Sequence, residues 1–279
     1  MSEERQPSDR AALMAVRTDA MLGIDLILVT DDGAAQMPGD SSEIQSRSSE
    51  PVRAFTAQSH SKPPRESTRH VGTPPVIPDS FFDEHEPQAS RLSNLQDHHA
   101  RSCSNLLDNV PDHPMVFGEG DSNASLMFIG EAPGTEEERH GRPFAGRAGV
   151  KLDEMIKAMG LQREDVYITN ALKFRPPGNR PSEPGDFEWC GPYLAAQVRI
   201  IRPDVIVVLG GPASKLILGS PLGITSLRGK WASYNDVDLM PTFHPAYLLR
   251  NPTLEVRGQV WKDLQEVMKR LGLPLPARG

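Results

Sequence analysis

The sequence predicts an α/β domain: a three-layer sandwich around a central, mainly parallel four-stranded sheet. Two observations carry this. From about residue 88 onward, short apolar runs alternate with helical patterns, the order that covers a parallel sheet with helices on both faces. The runs themselves are apolar throughout, as strands buried on both faces are.

The elements are read in chain order. Residues 1–34 are expected to form a short helical element, with Asp9 as cap and Ala12, Leu13, Val16, Met21 and Leu22 as its apolar stripe; Ile24 to Val29 is ambiguous. Residues 35–90 are rich in Pro, Ser, Arg, Glu and Gln and hold too few large apolar residues to offset chain entropy, so a disordered linker is expected, with Phe81 and Phe82 docking back. The domain is assigned to 91–273, with 274–279 as a tail. A helix is predicted from Gln88 through Leu92, Leu95 and His99 to Leu106. The first strand is Ser125 to Gly130, followed by a helix from Gly149 to Met159 with Leu152, Met155 and Ile156 at helical spacing. Asp165 to Asn170 is the second strand and Phe187 to Ile201 the next helix. Asp204 to Gly210 is the clearest strand; a short helix follows from Pro212 to Leu218. Asp238 to Phe243 is the fourth strand, and Thr253 to Leu271 the closing helix.

The net charge is −7, but it is unevenly spread. Residues 1–94 hold 9 Lys+Arg against 15 Asp+Glu, and residues 95–279 hold 21 against 22. The acidity sits in the N-terminal third, and the rest keeps enough arginine for a local basic face, so bulk charge neither supports nor excludes DNA. No stretch approaches a membrane span and no secretory signal is visible, so a cytoplasmic protein is expected; a monomer is expected as well. Of the two cysteines, Cys103 and Cys190, composition alone favours two unrelated thiols.

Ligands of open parallel sheets bind beyond the carboxyl ends of the strands. Those ends carry Gly130-Glu131-Ala132-Pro133-Gly134, Asn170, Gly210-Gly211-Pro212 and His244-Pro245. Each residue alone has a plain reading: Glu131 as a solvated loop carboxylate, Asn170 as a cap, His244 as a surface histidine. Their convergence from three strand ends is the stronger signal. Phe144, in the Gly-rich stretch Gly141 to Gly149, either stacks on a flat ring or plugs the loop from beneath. Lys173, Arg175 and Arg180 lie in a stiff basic loop and either meet phosphates or are solvated. Gly210-Gly211 lacks dinucleotide-binding spacing, and no P-loop occurs.

These strings, with Val116 to Gly120, VYITNALK, VIVVLGGPA, Arg228-Gly229 and HPAYLLR, occur in an order that resembles the family 4 uracil-DNA glycosylases of bacteria and archaea, over about Cys103 to Leu271. The resemblance implies that uracil is flipped out of single- or double-stranded DNA and its N-glycosidic bond hydrolysed, starting base excision repair. It implies Glu131 and His244 as catalytic residues and Gly130, Ala132, Phe144 and Asn170 as the base pocket. Phe144 would stack on the ring and Asn170 read its edge. His244 would stabilise charge leaving with the base, and Glu131 or Phe144 would reject thymine. Pro133, Lys173, Arg175, Arg180, Leu248, Leu249 and Arg250 would meet DNA, with Leu248 and Leu249 as a wedge. Where the enterobacterial and vertebrate type places a water-positioning Asp, this chain has Ala132, so Glu131 is the nearest candidate.

One departure stands out. Family members hold a [4Fe–4S] cluster on four cysteines; the matching positions here are Cys103, Leu106, Phe174 and Cys190. Two thiolates are replaced by apolar side chains, so no cluster and no other cofactor is expected. The competing expectation is a catalytically weak or inactive DNA-binding or damage-sensing relative. Residues 1–90 are expected to serve any repair or replication partner.

Overall fold

A computed structural model describes residues 74–104 and 115–275, without the side chains of Cys103 and Ser104. The predicted N-terminal element, most of the linker, Leu106 and the final residues lie outside these. The sheet holds six strands: β1 (Glu119–Gly120), β2 (Leu126–Gly130), β3 (Tyr167–Asn170), β4 (Val205–Leu209), β5 (Ala232–Tyr234) and β6 (Val237–Thr242), in the order β1-β3-β2-β4-β6-β5. The four expected strands are the parallel centre, β3-β2-β4-β6. The count of four is corrected by two antiparallel edges, β1 on β3 and β5 on β6. These edge strands have two and three residues, too few for a period of two to show.

The helices are α1 (Gln88–Ser104), α2 (Thr135–His140), α3 (Arg147–Ala158), α4 (Pro184–Ile201), α5 (Gly211–Leu218), α6 (Ile224–Leu227), α7 (Pro245–Arg250) and α8 (Leu254–Arg270). Successive strand residues point to opposite faces, and each face has its own core. Leu126, Phe128, Ile168, Val207 and Met240 pack against α3 and α8 through Leu152, Ile156, Trp261 and Leu264. Met127, Ile129, Ile206, Val208 and Leu239 pack against α1, α4 and α5 through Leu95, Tyr193, Leu194 and Ile217. Three layers result, and both faces of the central strands are sealed, which explains their uninterrupted apolar runs.

Folded structure begins ahead of the expected boundary at residue 91. A 3-10 turn at Asp79–Phe82 precedes α1, and Phe81 and Phe82 dock on the second core as anticipated. Gln88, at the start of α1, donates to the carbonyls of Ile200 and Ile201 at the end of α4. Among the described residues, no helix is long and apolar enough to cross a membrane.

Candidate active site

The parallel register sets the site. Gly130 pairs with Asn170 and Leu209 with Thr242, so the carboxyl ends of all four central strands finish at one level. There a cavity of about 610 Å³ opens, lined by Glu131, Ala132, Pro133, Phe144, Asn170 and His244, with Arg180, Ser182 and Arg250 at its walls. Glu131, Asn170 and His244 do converge.

Gly130 is the close-approach point. A Cβ there would lie 2.3 Å from Asn170 Oδ1 and 2.8 Å from Phe144 Cζ, so both side chains close over its bare Cα. Asn170 is almost wholly buried. Phe144 is buried too, in the left-handed region at φ 51°, a strained setting for a phenylalanine. Two contacts hold it there. Gly149 lets the Phe144 carbonyl approach where any Cβ would sit 1.6 Å away. Arg163 donates to the Pro143 carbonyl at 2.7 Å while bridging Asp153 and Glu119. Arg142, on the same loop, donates to Glu119 as well. The Phe144 ring stacks against the His244 ring, with centroids 5.6 Å apart and planes 27° apart.

His244 caps α7: its Nδ1 accepts from the Ala246 N–H at 3.1 Å. An accepting Nδ1 carries no proton, so the neutral ring keeps its hydrogen on Nε2. Burial pushes its pKa down to about 4, with Arg250 adding to the effect, and the ring is neutral at pH 7. The strand end leading to it is braced from α8. Asp263 accepts from Thr242 Oγ1 at 2.6 Å and from Arg228 at 2.6 and 3.1 Å. Glu131 Oε1 accepts from Ser182 Oγ at 2.7 Å.

Two expected DNA contacts, Lys173 and Leu248, are corrected by their burial. Lys173 is fully buried and donates to Thr169, Asn170 and Gln197, so it cannot reach a phosphate. Leu248 packs in the core beside α3 and is no wedge; Leu249, one residue on, is exposed. Arg180 is committed to both oxygens of Asp186 at 2.7 Å, and Arg175 bridges Glu138 at 3.2 Å. Pro133 and Arg250 are among the residues lining the cavity. Sequence reasoning missed Ser182, Thr242, Asp263, Glu119 and Arg163. Only Asp263 left a trace, as a carboxylate on the apolar stripe of α8 formed by Val260, Leu264 and Val267.

The residues at the cluster positions do not fit a four-thiolate group. Phe174 packs with Leu172 and Cys190 in a small apolar core, against Ala132 and Phe187. Cys190 Sγ accepts from the Lys173 N–H at 3.4 Å, and burial pushes the thiol up to about 11, so it is protonated rather than a thiolate.

Comparison with known proteins agrees with this architecture. The Uracil DNA glycosylase superfamily model matches residues 117–265. A type-4 uracil-DNA glycosylase from Thermotoga maritima is 47% identical over 156 residues, which span 54% of this chain and 80% of the relative. One from Archaeoglobus fulgidus is 40% identical over 171 residues, spanning 58% and 84%. A type-5 uracil-DNA glycosylase from Pyrobaculum aerophilum is 32% identical over 162 residues, spanning 50% and 71%. The three-layer sheet, the pocket at its carboxyl end and these similarities together make the chain a member of the uracil DNA glycosylase superfamily.

Proposed function

We propose that this chain is a uracil-DNA glycosylase that takes a flipped uracil into the pocket above Gly130 and hydrolyses its N-glycosidic bond without an iron–sulfur cluster. The observation that carries this is the pairing of a neutral His244, its donor left on Nε2, with the buried Asn170 and Phe144 in one cavity. Phe144 supplies a flat apolar face for the ring. The Asn170 carboxamide donates and accepts at once, which matches O4 and N3–H of uracil and mismatches the reversed edge of cytosine. As the C1′–N1 bond breaks, its electron pair leaves on the base, and the Nε2–H of His244 stabilises the negative charge gathering on O2. A histidine held neutral donates without surrendering its proton, so the base departs as an anion. Water then adds its oxygen to C1′, and the proton it loses passes to the uracil anion, which leaves as free uracil. With Glu131 Oε1 taken by Ser182, Oε2 is the oxygen we assign to that water. Both single strands and duplexes are substrates in this reading, and exposed Leu249 with Arg250 fills the space left in a duplex.

The absence of a cluster is inferred from chemistry: apolar side chains, Leu106 and Phe174, stand at two of the four ligand positions, and Phe174 packs into a small apolar core there. Release of free uracil from a defined oligonucleotide tests the function. His244→Ala should lower kcat by about 100- to 1,000-fold, as loss of a charge-stabilising donor does, with DNA affinity nearly unchanged. An unchanged rate would remove His244 from the mechanism. Tight DNA binding with no release by the unaltered chain would instead favour a damage-sensing protein.

A further inference from the structure

We propose that Lys173 is a positioning residue for Asn170: its ammonium clamps the end of β3 from inside the domain and so holds the Asn170 carboxamide at the pocket wall. This rests on the glycosylase reading above.

Lys173 has no exposed surface, and burial pushes its pKa down to about 7, so keeping it charged is costly. Its surroundings answer that cost with matched donors and acceptors. Nζ donates to Thr169 Oγ1 at 2.6 Å, to the Asn170 carbonyl at 2.8 Å and to Gln197 Oε1 at 2.6 Å. The acceptors are committed in turn. Thr169 Oγ1 spends its own proton on the Phe117 carbonyl at 2.6 Å. Gln197 Nε2 donates to the same carbonyl at 3.0 Å and to Tyr167 Oη at 3.2 Å, which leaves Oε1 to accept. Three ammonium protons meet three acceptors; a neutral amine would leave one acceptor without a donor.

The clamp reaches the pocket through a single peptide. The Asn170 carbonyl is held by Lys173, and the N–H on the other side of that peptide, from Ala171, donates to the Gly130 carbonyl at 2.8 Å. Gly130 is the residue over which Asn170 Oδ1 sits. The peptide carrying the edge-reading side chain is therefore pinned at both faces. Remove the ammonium and the Asn170 carbonyl loses its buried partner, so the peptide is held from one side only and can tilt, taking the carboxamide with it. An apolar side chain of similar length fills such a volume at lower cost, so burying a charge here buys position rather than bulk stability.

A double-mutant cycle tests the assignment, with kcat, KM and thermal midpoint measured for the full chain, Lys173→Met, Asn170→Ala and the pair. Lys173→Met is expected to lower kcat for uracil release by about 10-fold or more, and to add less than about 3-fold once Asn170 is already alanine, because coupled residues are not additive. Losses that multiply, or an unchanged kcat in Lys173→Met, would overturn the clamp. Should Lys173→Met fail to fold, Thr169→Val and Gln197→Met each remove one acceptor and enter the same cycle; full activity in both would equally overturn it. An unaltered chain that releases no uracil overturns the glycosylase reading itself, whereas an active chain with independent losses overturns only the role of Lys173.

Discussion

At the scale of single residues, the pocket is built by close approach. Gly130→Ala inserts a methyl group where Asn170 Oδ1 and the Phe144 ring already meet. The expected outcome is a loss of uracil release of about 100-fold or more, since small misplacement at a reacting centre costs about that much, with the urea midpoint of unfolding shifted far less. Retained activity would show that the two side chains do not act over Gly130. Glu131, Asn170 and His244 were legible because a parallel sheet brings its carboxyl ends together whatever the intervening loops do. Ser182 was not legible. It reaches Glu131 across 51 residues from a proline-rich loop, and no local pattern marks such a contact. Lys173 was misread because a lysine beside two arginines and two prolines reads as a basic loop. Nothing in the string tells that three acceptors wait inside the domain.

At the scale of elements, α7 separates what the string HPAYLLR runs together. The helix places Leu248 against the core and Leu249 toward solvent, a division that follows from 100° of turn per residue. Leu248→Ala is expected to cost about 2–5 kcal/mol of folding stability, as core truncations of leucine do. Leu249→Ala is expected to leave stability unchanged and to slow uracil release from duplex more than from single strands, because only a duplex has stacked space to fill. Equal slowing on both substrates would argue against a wedge. The long helices were readable from periodicity and the central strands from unbroken apolar runs. The edge strands β1 and β5 were not, being shorter than one repeat of any useful window. Yet β1 carries Glu119, which ties Arg142 and Arg163 to the loop that holds Phe144. Part of the site's support therefore hung on an element the sequence kept hidden.

At the scale of the whole molecule, fold class was legible because four strands buried on both faces leave continuous apolar runs, and so was the docking of Phe81 and Phe82; the helical turn Asp79–Phe82 that starts the folded part was not, because it lies in an otherwise polar stretch. Two desolvated histidines, His99 fully buried and His244 half-buried, give the folded chain a predictable acid response. Burial lowers His244 to about 4 and His99 to about 3, while both titrate near 6.5 when unfolded. The unfolded chain therefore binds more protons between these values. Stability from the neutral rings is fully present above pH 6.5 and is lost as the pH falls toward 4 and then 3, by up to about 1.4 kcal/mol per pH unit for each ring. Urea midpoints at pH 7, 5.5 and 4.5 should fall in that order; a flat series would contradict the burial of these rings. The proposed chemistry runs with a phenyl ring, Phe174, packed against Cys190 where two cluster ligands would stand. Its most direct test is uracil release from a uracil-containing oligonucleotide by a purified sample whose iron is quantified at the same time. Multiple turnovers of free uracil from a protein with no stoichiometric iron are predicted; absence of release, or activity that tracks bound iron, would contradict it.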